Sequence, residues 1–339
     1  MENITFTGAL EDTRSDEEKN KDWHSDLAFA GVPEWKEKSF DQLKTFPVRD
    51  QDGSGSCVAQ TLALMLGIEN FLEEGRFIEF SAKDIYTRRS NQGAGMIGVE
   101  ALEIARKYGA TLEVLIPSQR MGETEINNII REVSDEQIGK IFTVDNYYQL
   151  PFSVEKIASV IDLKRRDGVG KPVMVWFQFP RAEWNSIPAL SNSNFDLVRH
   201  SVTAVDYGIV GGKKGIFIQD SWGLHSSTVN GLRFISEDYL KNRMIFCAYV
   251  NDKKNDWQNE TPETVVNRPV LKIGASGSYV KELQTILQEL GYFPATTKTT
   301  NYFGTITQAS VKKFQEANGL VSDGVVGRLA WSKLLELTK

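Results

Sequence analysis

The sequence predicts an α+β fold in which helices come first and strands follow, with a separate small helical domain at the C-terminus. Apolar residues at helical spacing characterise the first part of the chain, and β-branched and aromatic runs characterise residues 171–223. A polar, proline-containing segment at 252–267 then precedes a compact helix-rich block. Helices and strands that are segregated along the chain are typical of α+β domains.

These patterns divide the 339 residues into four regions. We predict an acidic N-terminal arm, an α+β domain, a linker and a helical domain, over residues 1–30, 31–251, 252–267 and 268–339, respectively. The length is sufficient for two domains. Hydrophobic residues make up 41% of the chain, which allows a substantial core.

Composition and charge exclude several classes of partner. The net charge of −6 gives no signal for nucleic acid. No stretch approaches the ~18 apolar residues of a membrane span. Residues 1–26 carry eight acidic and three basic side chains, which is typical of a solvated tail. A position on the cleft of the large domain is the alternative for this arm.

The first strong helix is predicted to begin at Cys57 and to end at Gly75, a typical C-terminal stop. Its apolar positions follow helical spacing: Val58, Leu62, Met65, Leu66 and Phe71. Glycines at 53 and 55 indicate a tight loop before it, with Ser54 or Ser56 placed to cap the helix. A second helix is predicted over 98–108. Strands are predicted within 171–179, 200–208 and 214–223.

Cys57 is a candidate nucleophile because a thiol at a helix N-terminus becomes thiolate more readily. The only other cysteine, Cys247, lies in an apolar run and is interpreted as a buried strand residue. Two cysteines give no disulfide framework, and we expect both to be free. Backbone N–H groups at the start of the helix are also suited to stabilising an oxyanion.

The general base has to come from one of three histidines, His24, His200 and His225. His24 lies in the acidic arm and His225 in a polar loop, whereas His200 begins an apolar strand that would hold it rigidly. Asp220 follows another predicted strand and is suited to orienting the imidazole. Trp222 is placed to shield that hydrogen bond from water.

Three motifs resemble those of papain-like cysteine peptidases: residues 47–57 around Gln51 and Cys57, the strand from His200 to Gly208, and Asp220-Ser221-Trp222-Gly223. His200 follows Cys57 by roughly 140 residues, within the family's ~130–150. The resemblance covers about residues 31–250 and implies a helical lobe beside an antiparallel β lobe. It also implies an oxyanion-hole role for Gln51, and substrate contacts for Trp222 and for a rim that includes Gly93 and Gly95.

The chain departs from the family pattern at three positions. Ser54 and Val58 replace a cysteine and an aromatic residue, and Asp220 replaces the usual asparagine. A carboxylate at 220 is expected to hold a protonated His200 more strongly by its charge. No metal site or nucleotide loop is predicted, since the histidines are scattered and no glycine-rich loop has the required lysine. We expect no cofactor.

The C-terminal block resembles the three-helix peptidoglycan-binding domains of wall hydrolases. The resemblance is carried by glycines, apolar residues and a few polar residues, among them Gly291, Tyr292, Phe314, Gln315, Gly319, Asp323, Gly324 and Trp331. Three apolar helix faces are predicted, one of which includes Ile306, Ala309, Val311 and Phe314. Nine basic and five acidic side chains in residues 268–339 suit an anionic wall.

These features together predict a cysteine-type endopeptidase that cleaves peptide bonds through a Cys57 thioester and is tethered to bacterial peptidoglycan. The substrate is expected to be protein or peptide. The alternatives are an endopeptidase acting on peptidoglycan stem peptides, and a catalytically inactive wall-binding protein. Action at the bacterial cell wall, outside the cytoplasm or on a virion, is expected although no secretory signal is recognisable.

Overall fold

A computed structural model of the chain describes residues 8–19, 22, 31–91, 93–131, 133–193, 195–224, 228–251 and 269–338. The chain divides into a larger unit, residues 1–131 with 135–257, and a smaller unit, residues 258–339 with 132–134. The predicted linker at 252–267 lies outside the described residues, so the domain boundaries remain predictions.

Six of the eight described α-helices of the larger unit precede the main sheet, as the sequence predicts, whereas the last two lie between its strands. The described α-helices that lie in this unit or extend into it are α1 (Asp16–Lys19), α2 (Cys57–Glu74), α3 (Ala82–Tyr86), α4 (Gly98–Lys107), α5 (Glu123–Asn127), α6 (Val133–Ile141), α7 (Val154–Ile161) and α8 (Glu237–Arg243). The helix predicted after Cys57 is confirmed, and Gly75 ends it with a φ of 75°. Ser56 occupies the N-cap position without a side-chain capping bond.

Six of the eight described strands form one antiparallel sheet in the order β1-β8-β4-β5-β6-β7, and β2 and β3 form a separate ribbon. The strands are β1 (Tyr147–Gln149), β2 (Arg165–Arg166), β3 (Val169–Gly170), β4 (Val173–Pro180), β5 (Leu197–Val210), β6 (Lys213–Gln219), β7 (Leu232–Ser236) and β8 (Met244–Val250). All three predicted segments therefore contribute strands to the main sheet, although β6 ends at Gln219 rather than at 223. The α+β fold class is confirmed.

The sheet is covered on both faces. Successive side chains of a strand point to opposite faces, so Phe217 of β6 packs with the α2 side chains Leu64 and Ile68. Ile216 and Ile218 of the same strand pack in a second cluster with residues of α7 and α8. Helix α2 is buried along residues 57–72, because it lies between the sheet and the other helices of the N-terminal half.

A buried ion pair joins α2 to the segment before β4. Lys171 Nζ lies 2.9 Å from Glu69 Oε1 and 2.8 Å from the carbonyl of Asn251. Burial raises the pKa of Glu69 to about 7, against the opposing effect of Lys171. The pair is therefore costly to break by removal of one partner.

We expect Lys171→Met to lower the free energy of unfolding by about 3–5 kcal/mol at pH 8, since it leaves a buried carboxylate without its cation. Protonated Glu69 needs no cation, so the loss should shrink as the pH falls from 8 to 5. Urea unfolding at both pH values measures this, with Lys171→Met/Glu69→Gln as the matched control. A loss independent of pH would contradict the assignment.

The smaller unit contains three described helices, α9 (Ser278–Glu289), α10 (Thr305–Ala317) and α11 (Arg328–Leu337). Trp331 is fully buried in their common core. The predicted inner face of α10 is partly wrong, because Ile306 and Ala309 are exposed. Its buried face consists instead of Thr307, Ser310, Val311, Phe314 and Gln315. None of the helices among the described residues is long and apolar enough to cross a membrane.

Candidate active site

The loop before Cys57 is held by a carboxylate from α5. The N–H of Gly55 donates to Glu123 Oε2 at 2.7 Å, and the hydroxyl of Tyr86 donates to Oε1 of the same residue at 2.8 Å. A Cβ at position 55 would lie 2.5 Å from the nitrogen of Gly95. Only glycine permits this approach, which brings the predicted substrate rim at Gly95 to the Cys57 loop.

Cys57 is the first residue of α2, and its thiol is buried. Burial raises the pKa of the thiol to about 12, although the backbone N–H groups of Ser201 and Val58 hydrogen-bond to the sulfur and oppose the shift. The position at the helix N-terminus is thus as predicted, but in this conformation burial prevails over the helix and keeps the thiol protonated. Cys57 and Cys247 are both free.

His200 and Asp220 form a hydrogen bond inside the sheet. His200 lies in β5 and Asp220 directly follows β6, so strand pairing brings them together. His200 Nε2 lies 2.7 Å from Asp220 Oδ1, and both side chains are at most 1% exposed. With Nε2 directed at the carboxylate, Nδ1 is the nitrogen left to exchange a proton with a nucleophile.

The second oxygen of Asp220 accepts two further hydrogen bonds. Arg233 Nε donates to Oδ2 at 2.7 Å, and Trp184 Nε1 donates to the same atom at 2.9 Å. Burial alone would raise the pKa of Asp220, but the neighbouring His200 and Arg233 lower it below its ordinary value. Asp220 is therefore ionised at neutral pH despite complete burial.

Gln51 is connected to the residue that follows Asp220. Its Oε1 accepts from Ser221 Oγ at 2.9 Å, and its backbone N–H donates to the Ser221 carbonyl at 2.9 Å. Its Nε2 donates to the Ser54 carbonyl at 2.8 Å. An amide nitrogen carries two hydrogens, so the second is the one suited to a substrate oxyanion. Ser54 donates its hydroxyl to the Gln51 carbonyl at 2.7 Å.

Two indole rings enclose the imidazole. The Trp222 ring centroid lies 4.7 Å from that of His200, and the Trp184 ring meets the imidazole edge-on at 5.8 Å. Trp222 thus packs against the imidazole, and its shielding role stays a prediction. Gly93 is exposed, and its carbonyl accepts hydrogen bonds from Arg89 and Asn91. Of the two predicted rim glycines, Gly95 is the one in contact with the Cys57 loop.

Gly8 of the N-terminal arm lies against the thiol of Cys57. The N–H of Met96 donates to the Gly8 carbonyl at 2.9 Å, and the N–H of Leu10 donates to the Met96 carbonyl at 3.0 Å, which gives a parallel bridge around Ala9. A Cβ at Gly8 would lie 2.4 Å from Cys57 Sγ. The solvated-tail interpretation is therefore wrong for Gly8 to Leu10, whose backbone pairs with the cleft wall.

Beyond Leu10, Glu11 and Asp22 attach the arm to the rest of the larger unit. Glu11 Oε2 lies 3.0 Å from Arg199 Nη2, and Gln149 Nε2 donates to Asp22 at 2.8 Å. Each contact joins a side chain of the acidic arm to the body of the larger unit. Two acidic side chains of the arm thus attach it to the larger unit.

Sequence reasoning missed six contributors to the site: Gly8, Tyr86, Glu123, Trp184, Ser201 and Arg233. A signal existed for Arg233, since it is a charged residue within the apolar strand LRFIS. No local pattern distinguishes Trp184 or Gly8, because their roles depend on contacts with residues distant in the chain. His24 and His225 lie outside the described residues. The choice of His200 over these two histidines therefore stays a prediction.

Solved structures with a similar chain path share this arrangement of helices and sheet. Xylellain, a cysteine protease from Xylella fastidiosa, matches with a TM-score of 0.60 over 74% of this chain and 97% of its own, at 17% identity. Digestive procathepsin L 3 of Tenebrio molitor larval midgut matches with a TM-score of 0.53 over 72% of this chain and 76% of its own, at 20% identity. The larger unit has the papain-like fold. Identities this low show the papain-like fold alone.

The smaller unit matches a family model. Residues 276–334 match the putative peptidoglycan binding domain. An uncharacterized protein of Kitasatospora aureofaciens is 44% identical over 69 residues, which are 20% of this chain. The match spans 57% of that relative's length. The chain thus combines a papain-like fold with a peptidoglycan-binding-type domain.

Proposed function

We propose that the chain is a cysteine-type endopeptidase in which Cys57 is the nucleophile and His200 the general base. The observation that supports this most directly is the buried hydrogen bond between His200 Nε2 and Asp220 Oδ1, at 2.7 Å. It fixes the tautomer and orientation of the imidazole, as a triad requires. Cys57 at the N-terminus of α2 and the papain-like fold add independent support.

The reaction proceeds once the arm has left the thiol. His200 Nδ1 takes the proton of Cys57, and the thiolate attacks the carbonyl carbon of the substrate. The oxyanion accepts hydrogen bonds from the Cys57 N–H and Gln51 Nε2. The imidazolium then donates its proton to the leaving amine as the C–N bond breaks. Water, deprotonated by His200, hydrolyses the resulting thioester and restores the thiol.

The smaller unit is proposed to hold the peptidase at bacterial peptidoglycan. Its match to the putative peptidoglycan binding domain supports this role. Tethering raises the effective concentration of enzyme near wall-associated substrates. Protein at the wall is the proposed substrate, because papain-like peptidases mostly cleave proteins, and the stem peptides of peptidoglycan are the competing substrate.

Purified sacculi and casein separate these substrates when each is incubated with a variant lacking residues 2–12, in which the thiol is uncovered. We expect casein cleavage, retention of the protein on sacculi, and no activity when Cys57→Ala is added to the same variant. Release of muropeptides with casein intact would assign the stem peptides as substrate. No cleavage of either, together with no labelling of Cys57 by a thiol-reactive epoxide, would indicate an inactive wall-binding protein.

A further inference from the structure

Arg233 is a buried arginine in an otherwise apolar strand. Its side chain, like that of Asp220, is 0% exposed, and their Nε–Oδ2 distance is 2.7 Å. Its Nη1 also donates to the carbonyl of Trp184 at 3.2 Å, and its guanidinium lies 5.1 Å from the Trp184 ring centroid. Burying such a cation costs several kcal/mol unless an anion and hydrogen bonds offset it. Packing of β7 alone does not account for this residue.

The hydrogen bonds to Asp220 show what Arg233 contributes. Oδ1 accepts from His200 Nε2 and from the N–H of Ser221, both at 2.7 Å. Oδ2 accepts from Arg233 and Trp184. A carboxylate offers about four acceptor sites, so these four donors fill them and prevent rotation of the group. Arg233 also supplies one positive charge to balance the carboxylate.

Among the residues that the structure describes, the other charged and titratable groups near this pair do not supply that charge. Burial raises the pKa of Tyr239, on α8, so it is neutral. The charges of Glu183 and Arg243, next to Tyr239, cancel one another, because Arg243 Nη2 lies 2.7 Å from Glu183 Oε1. Cys57, on α2, is a protonated thiol in this conformation. Arg233 is thus the permanent cation in direct contact with the Asp220 carboxylate.

We propose that Arg233 is a positioning residue that fixes the Asp220 carboxylate and cancels its charge, so that His200 faces a neutral hydrogen-bond acceptor equivalent to an amide. The proposal rests on the function proposed above. It explains how an aspartate can occupy position 220, where the papain-like pattern has asparagine. The buried cation Arg233 lies against the carboxylate and offsets its negative charge. The charge effect expected from Asp220 alone is correspondingly offset.

A double-mutant cycle with Arg233→Met and Asp220→Asn tests this, in the variant lacking residues 2–12. Arg233→Met alone should lower kcat/KM about 10- to 100-fold, because the carboxylate loses one of the four hydrogen bonds that hold its orientation. It should also move the alkaline limb of the pH–rate profile upward, since an unbalanced carboxylate stabilises the imidazolium. Asp220→Asn alone leaves a buried cation unpaired. The kcat/KM of the double variant should be at least ~10-fold higher than that of either single variant.

The His200 ring provides a readout that does not require activity. Its pKa, from NMR titration in a Cys57→Ala background, should rise in Arg233→Met and return in the double variant. Arg243→Met is the matched control, because it breaks an equally short arginine–carboxylate contact that does not touch Asp220. If Arg233→Met does not fold, Arg233→Lys takes its place in the test. Because lysine retains the positive charge, this variant should leave the pKa of His200 unchanged while it lowers kcat/KM.

Two outcomes would overturn the proposal. In the first, the factors by which the two single substitutions lower kcat/KM multiply in the double variant. In the second, Arg233→Met folds but leaves the pKa of His200 unchanged. An inactive enzyme whose His200 pKa still follows the cycle would refute the proposed peptidase function alone. Activity together with an unresponsive His200 would refute the role of Arg233 alone. The two failures are therefore distinguishable.

Discussion

Deletion of residues 2–12 is expected to raise the rate of Cys57 alkylation by iodoacetamide, and the rate of peptide cleavage, by roughly 30- to 150-fold. Two backbone hydrogen bonds to Met96 and the Glu11–Arg199 ion pair hold this part of the arm. At up to about 1 kcal/mol each, they favour the covered state by about 2–3 kcal/mol. Deletion also returns the thiol to water, which removes the burial that raises its pKa.

A single methyl group should have a similar effect in the full chain. Alanine at Gly8 would place its Cβ 2.4 Å from Cys57 Sγ and 2.9 Å from the carbonyl oxygen of Gly55. Gly8→Ala is therefore expected to displace the arm and accelerate alkylation. Gly31→Ala is the matched control, because a Cβ there meets nothing within 4 Å. Equal alkylation rates in wild type, Gly8→Ala and the deletion would contradict coverage of the thiol by the arm.

Replacement of Cys57 or His200 is expected to cause the largest loss of activity. In the variant lacking residues 2–12, Cys57→Ala and His200→Gln should each lower kcat by about 10⁴-fold or more, because members of a triad act as a unit. Since they act together, the double variant should be little worse than either single one. Initial rates of casein hydrolysis measure both effects.

Cys247 is the matched control for the thiol. It is buried in β8, and burial raises its pKa well above the ordinary value, which makes it unreactive. Cys247→Ala should retain activity and stoichiometric labelling by a thiol-reactive epoxide, whereas Cys57→Ala should lose both. Labelling that persists in Cys57→Ala would assign the reactive thiol elsewhere.

The sequence predicted helices and strands correctly where the residues that cause them are close together along the chain. The glycine- and serine-rich loop, the apolar periodicity after Cys57 and the stop at Gly75 specify a helix with the thiol at its start. The β-branched runs around His200 and before Asp220 specify strands of the sheet. In the smaller unit, apolar spacing placed the helices but misplaced one face, because Thr307 and Ser310 are buried where Ile306 was expected.

The sequence by itself determined the chain order of the candidate site, from Gln51 and Cys57 to His200 and Asp220, and the α+β class that contains it. Only the tertiary structure decided that Arg233 neutralises Asp220 and that Gly8 covers Cys57. Both depend on pairing between segments: the register of β6 with β7 places Arg233 opposite Ile218, and the arm pairs with Met96. The contacts that such pairing produces keep Asp220 ionised through Arg233 and keep the buried Cys57 protonated. No spacing along one strand or helix encodes them.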